Sequence, residues 1–99
     1  MAYKTIYPFT NETLKEYANH TDAELEQAIA SGHALYQKWR RENNLEERKA
    51  QLHKVADLLR RDADKYAETI TKDMGKLIGE AKGEVLLCAD IADYYADKA

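Results

Sequence analysis

Between Leu45 and Met74 the chain carries one unbroken apolar stripe. Leu52, Val55, Ala56, Leu59, Ala63, Tyr66, Ala67, Ile70 and Met74 recur at helical spacing. As a single straight helix these thirty residues would run about 45 Å at 1.5 Å per residue. A compact domain of about 100 residues has a radius of gyration near 13 Å. Either the helix breaks, or the chain is part of a larger body. Asp62-Ala63-Asp64 is the weakest point, because aspartate suits a cap better than a helix interior, and a break or kink is expected there. Asn44 with Glu47 three residues on has capping-box spacing for the start. Gly75 follows the last periodic residue and makes a left-handed stop.

Helical patterns flank this segment. Thr21 caps a first helix, with Glu24 at the capping-box position. Leu25, Ala28, Ile29, Gly32, Leu35, Tyr36 and Trp39 give its apolar stripe, Arg40 and Arg41 suit its carbonyl end, and Asn43-Asn44 ends it. A last helix is expected from about Leu77 to Asp97. Its main row is Ile78, Ala81, Val85, Cys88, Ala92 and Tyr95, and a second row of Leu87, Ile91 and Tyr94 widens the face. So broad a face on a short chain implies a partner, either more polypeptide or another copy, meeting residues 78–95.

Residues 1–19 differ. Tyr3, Thr5, Ile6, Tyr7, Phe9, Thr10 and Thr13 are β-branched or aromatic types that fit a pleated surface. Pro8, the only proline, removes a ladder donor and confines any strand there to an edge or ends it at Tyr7. The expected element is a hairpin, with strands near 3–8 and 13–18 and a turn around Thr10-Asn11-Glu12. Such a hairpin is marginal alone and needs a surface to lie on. The fold class is therefore mainly α: an N-terminal β-hairpin followed by three to four amphipathic helices over 21–99, in one segment.

Composition narrows the function. With 15 Lys plus Arg against 18 Asp plus Glu the net charge is −3, which provides no electrostatic footprint for nucleic acid. No apolar run approaches the ~18 residues of a membrane span, and Met1–Tyr7 lacks a signal-peptide layout. A single cysteine forms no internal disulfide. These features point to a reducing cytoplasm, with neither nucleic acid nor membrane as partner.

The candidate chemical residues each have a plainer reading. Cys88 is surrounded by Val85, Leu87, Ile91 and Ala92 with no histidine in helical reach, so it packs as a small apolar residue rather than serving as a nucleophile. His20, His33 and His53 lack metal-ligand spacing and read as surface or half-buried residues. Glu80 and Glu84 share a helix face, but Lys76 and Lys82 lie near them, which favours salt bridging over acid–base work. Gly75, Gly79 and Gly83 recur every four residues with no strand before them, so they are not a phosphate cradle. They either permit close helix approach or only weaken the helix start. Tyr36, Lys38, Trp39, Arg40 and Arg41 resemble a binding patch, yet Trp39 continues the apolar stripe and reads as a core anchor. No catalytic, cofactor-binding or metal residue is assigned.

Four segments, in order, resemble the NAD(P)-dependent aldehyde dehydrogenase superfamily, most of all its succinate-semialdehyde-oxidising branch. Tyr7-Pro8-Phe9-Thr10-Asn11-Glu12 is similar to the family's Asn-Pro-x-Thr-Gly-Glu turn, departing at Tyr7 and Asn11. Ala34 to Trp39 with Arg40 is similar to its Ala-x-x-x-Trp helix end. Glu46-Glu47-Arg48 with Leu52 to Leu59 resembles its Glu-Arg-x-x-x-Leu helix. Gly75-Lys76 followed by Glu80-Ala81 and Glu84-Val85 resembles a helix-to-helix junction near the family's N-terminus. The resemblance implies a leading hairpin and helices belonging to an incomplete NAD(P)-binding domain. It implies that the complete enzyme oxidises an aldehyde to an acid through a thiohemiacetal on cysteine, passing hydride to NAD or NADP. The catalytic cysteine, glutamate base, oxyanion-holding asparagine and phosphate-contacting glycines of the family match nothing in 1–99. This chain is thus expected to be an inactive N-terminal segment that takes no cofactor itself, its partner being the missing C-terminal remainder. The alternative is a non-enzymatic helical module that associates with itself or another protein.

Overall fold

A computed structural model describes residues 3–99; Met1 and Ala2, where the expected hairpin stretch and the signal-peptide reading begin, lie outside the described residues. Strands β1 (Tyr3–Tyr7) and β2 (Glu12–Tyr17) pair antiparallel. Helices α1 (Asp22–Arg41), α2 (Leu45–Arg61), α3 (Ala63–Met74) and α4 (Ile78–Lys98) follow. The expected fold class of a hairpin and amphipathic helices is the one observed, with four helices.

The hairpin turns one residue earlier than expected. Glu12 is already in β2, opposite Tyr7, and the reversal occupies residues 8–11. Asn11 takes φ 62°, a left-handed value that asparagine tolerates, and its amide donates to the Tyr7 carbonyl at 2.7 Å. Thr5 faces Lys15 while Ile6 faces Thr13, so Leu14 is an extra residue on β2 that bulges the ladder. The surface the hairpin requires is α3, against which β1 packs. At the far end Pro8 lies by Gly75, 3.6 Å from where a β-carbon would stand.

Thr21 and Glu24 make the expected capping box: the Glu24 amide donates to Thr21 Oγ1 at 3.2 Å, and the Thr21 amide to Glu24 Oε2 at 2.8 Å. Asn44 does not cap through its side chain, contrary to expectation. It sits at φ −114°, ψ 24° rather than in the extended region an N-cap needs. Only its carbonyl joins the helix, accepting from the Arg48 amide at 3.1 Å, and its Nδ2 is buried with no protein partner. The stripe from 45 to 74 does break, at Asp62, which ends α2 and starts α3. Arg61 grips the Asp62 carboxylate at 2.8 Å and holds it below the usual carboxylate range. Gly75 stops α3 at φ 75°. An L-residue there incurs left-handed strain of about 1–2 kcal/mol. Gly75→Ala is therefore expected to lower the urea midpoint by that order, with Gly75→Asn losing less, because no neighbour blocks a β-carbon.

Bent at Asp62, α2 and α3 run antiparallel along α4. His53 reaches Asp97, Arg60 reaches Asp90, and Asp64 reaches Lys82. The seam is built from small residues: Ala56, Ala63 and Ala67 on one side, Ala81, Val85, Ala89 and Ala96 on the other. Among the described residues no large side chain is fully enclosed, and twenty large apolar ones stay more than a third exposed. The radius of gyration, 17.6 Å, exceeds the ~13 Å of a closed domain this long. The helices therefore do not enclose their own apolar surface.

Candidate functional site

The residues singled out in the sequence do not converge. Cys88 is exposed. This corrects its expected place among packed residues, since the seam runs one step round the helix, through Val85 and Ala89. Among the described residues no hydrogen bond or ion pair reaches its sulfur, so nothing local activates a thiolate. Glu84 is bridged by Lys76 at 2.7 Å, an ion pair that raises the Lys76 pKa, whereas Lys82 turns to Asp64 at 2.9 Å rather than to Glu80. A β-carbon added at Gly79 or Gly83 would meet no atom within 4 Å, so both open onto space and create no close helix approach. Both lie inside α4, which follows α3 rather than a strand, so they are not the strand–glycine loop–helix arrangement of a phosphate cradle. Among the described residues no group of three or more His, Cys, Asp or Glu suits a metal ion, and no helix is long and apolar enough to cross a membrane.

Trp39 is half-buried rather than a core anchor. The Arg48 guanidinium lies 5.6 Å from its ring centroid, linking α1 to α2. Trp39, Leu45, Leu52 and Val55 line an open groove of about 330 Å³. That is the low end of ligand-site volumes, and its polar lining, Arg48, Lys49 and Gln51, all comes from α2. Beyond this link no element among the described residues packs on α1, and its Leu25, Ile29, Leu35 and Tyr36 are exposed. On α4, Leu87, Ile91 and Tyr94 remain 56%, 46% and 57% exposed, as the two-row reading of that helix implies for a chain without a partner.

The structure does bring together one polar constellation that inspection of single residues missed. His53 and Arg60, seven apart on α2, face Asp90, Asp93 and Asp97 on α4. His53 Nδ1 lies 2.7 Å from Asp93 Oδ1 and Nε2 3.0 Å from Asp97 Oδ1. Arg60 Nη1 meets Asp93 Oδ2 at 2.7 Å, and Nη2 meets Asp90 Oδ1 at 2.9 Å. The hydrogen bond to Asp93 pushes the His53 pKa up, and that to Asp90 raises Arg60. Asp93, bonded by His53 and then Arg60, is held below the usual carboxylate range. The signal was in the sequence as two matching rows of opposite charge, at helical spacing on separate helices. Arg60 occupies the place where a cation would sit, so the cluster fastens helices and offers no open coordination or nucleophile.

These helices, and the order in which they follow the hairpin, have counterparts. The aldehyde dehydrogenase family model matches residues 1–99, and the chain belongs to that family. It is 39% identical over 99 residues to succinate-semialdehyde dehydrogenase [NADP(+)] 1 of Mycobacterium ulcerans, covering all of this chain and 22% of that protein. It is 36% identical over 96 residues to succinate-semialdehyde dehydrogenase [NADP(+)] of Deinococcus radiodurans, covering 97% of this chain and 20% of that one. Among solved structures, succinic semialdehyde dehydrogenase from Streptococcus pyogenes in complex with NADP+ superposes with a TM-score of 0.95 at 67% identity, over 98% of this chain and 21% of that one. Gox0499 superposes with a TM-score of 0.90 at 29% identity, over 96% of this chain and 21% of that one. The chain therefore spans about a fifth of the length of the relatives it matches.

Proposed function

We propose that this chain is the N-terminal part of an enzyme of the succinate-semialdehyde dehydrogenase type, whose complete form oxidises that aldehyde to the carboxylic acid with NADP+ as oxidant. The observation that carries the reading is coverage: relatives of that name match 97–100% of the chain while it accounts for only about a fifth of each. In this reading residues 1–19 are the leading hairpin, and 21–99 the helical part of an incomplete NAD(P)-binding domain. The remainder of the enzyme covers α1 and the open face of α4. The single unpaired cysteine supports a reducing cytoplasm as its location, and the net charge of −3 argues against nucleic acid as a partner.

The 99-residue chain alone is inactive in this reading, because the described residues supply no activated nucleophile. Purified chain given succinate semialdehyde and NADP+ or NAD+ is expected to form no reduced cofactor, with or without Cys88→Ser. Reduction that scales with the chain and disappears in Cys88→Ser would overturn the inactivity. The continuation into a complete enzyme has its own test in the DNA after the Ala99 codon. A continuing frame whose product reduces NADP+ with this aldehyde is expected, and a stop followed by unrelated sequence contradicts it. The exposed Leu87, Ile91 and Tyr94 also favour a second reading, self-association through residues 78–95. Light scattering that shows a mass rising with concentration supports it, and a constant monomer mass counts against it.

A further inference from the structure

We propose that His53 is a proton-operated clasp, joining α2 to the C-terminal half of α4 while both ring nitrogens carry protons and loosening the pair when one is lost. Each ring nitrogen faces a carboxylate oxygen, Asp93 at 2.7 Å and Asp97 at 3.0 Å. An ionised carboxylate only accepts, and a neutral imidazole has one donor and one acceptor. Only the imidazolium satisfies both neighbours; the neutral ring sets a lone pair against a lone pair on one side. The charge balance agrees. Asp90, Asp93 and Asp97 bring three negative charges and Arg60 one positive, so the cluster is −2 with neutral His53 and −1 with His53 protonated. His53 also lies near the carbonyl end of α4, where a cation is favoured.

The surroundings leave His53 as the group that titrates near neutral pH in this cluster. On α2 its neighbours a turn away are Lys49, which lies 3.8 Å from Glu46, and Asp57. From α4 come Asp90, Asp93 and Asp97, with Lys98 beyond them. α3 meets α2 at the Asp62 junction and, among the described residues, puts no charge within ion-pair distance of His53. The ring is 42% exposed, so protons reach it without any opening of the seam. Because the folded pKa is raised, the stabilisation is complete below the ordinary value of about 6.5 and is lost as pH rises through the folded value. Asp93, whose pKa is lowered, retains its charge down through the usual carboxylate range, so the clasp is closed between these limits and opens on the alkaline side.

The test is an NMR titration of the His53 ring in the 99-residue chain, paired with urea unfolding at about pH 6 and about pH 8.5, on either side of the expected transition. The His53 midpoint is expected to lie above that of a histidine in a short unstructured peptide in the same buffer, and Asp97→Asn, which removes a carboxylate that touches His53 and not Arg60, lowers it. The urea midpoint is expected to be higher at the acidic pH than at the alkaline one, and His53→Gln should remove at least half of that difference. A His53 midpoint at or below the peptide value overturns the proposal, as does a pH difference that His53→Gln leaves intact.

Discussion

Replacing Ala89 with leucine is expected to separate α4 from the helices it lies on, at a loss of about 3 kcal/mol, the upper part of the range for overpacking a well-filled site. The reason is the character of the seam. Ala56, Ala81, Ala89 and Ala96 are all fully enclosed, so the helix backbones approach as closely as methyl groups allow. The buried residues of the seam are alanines and Val85, with no long side chain among them to rotate aside, so a leucine is accommodated by moving a helix. Total stability for a chain of this length is about 5–15 kcal/mol, toward the low end where so little apolar surface is enclosed, so the change takes a large part of it. The measurement is the urea midpoint followed by helical circular dichroism. Cys88→Ser, one residue away but exposed, serves as the comparison and should stay within about 0.5 kcal/mol. Equal losses from the two substitutions would show that the seam lies elsewhere on α4.

The second large effect depends on how much polypeptide surrounds the segment. Leu87→Lys with Ile91→Lys is expected to change the stability of the 99-residue chain by less than about 1 kcal/mol, because both positions face solvent and surface changes are individually small. In an enzyme that continues beyond this segment and covers α4, the same pair leaves two charges without partners in an apolar contact. Breaking or isolating a buried charge costs about 3–5 kcal/mol, and the expected result is loss of most soluble, active enzyme. Expression yield and specific activity of the complete protein measure it against the midpoint of the chain. Comparable tolerance in both settings would mean that nothing packs on this face.

Much of the architecture was legible in the residues. The apolar stripe from 45 to 74 was too long for a compact body and broke at Asp62, a residue poorly suited to a helix interior. Gly75 stopped α3 and Thr21 with Glu24 started α1, because these signals act within a few residues. The rotation of α4 was less legible. Reading Ala81, Val85, Cys88, Ala92 and Tyr95 as the packed row missed the observed seam at Ala81, Val85, Ala89 and Ala96. Both rows are apolar, so periodicity alone does not separate them. Size and charge do: the small residues permit close approach, and Asp90, Asp93 and Asp97 turn toward His53 and Arg60 only when the alanines face inward. Asn44 failed as a side-chain cap for a related reason, since capping depends on backbone angles that the short connection from α1 imposes. The resemblance to the aldehyde dehydrogenases identified the family from four short segments, while the charge cluster joining α2 to α4 had no counterpart in any of those motifs.

In this structure α2, α3 and α4 hold together by themselves, while among the described residues no element packs on α1 or on the outer face of α4. Amide hydrogen exchange along the 99-residue chain tests that division most directly. Most of a helix's stability in a protein comes from packing of its apolar face rather than from propensity, and exchange reports local opening. Protected amides are expected through residues 52–60 and 81–96, with rapid exchange throughout 22–41. Protection of α1 equal to that of the alanine seam would contradict it.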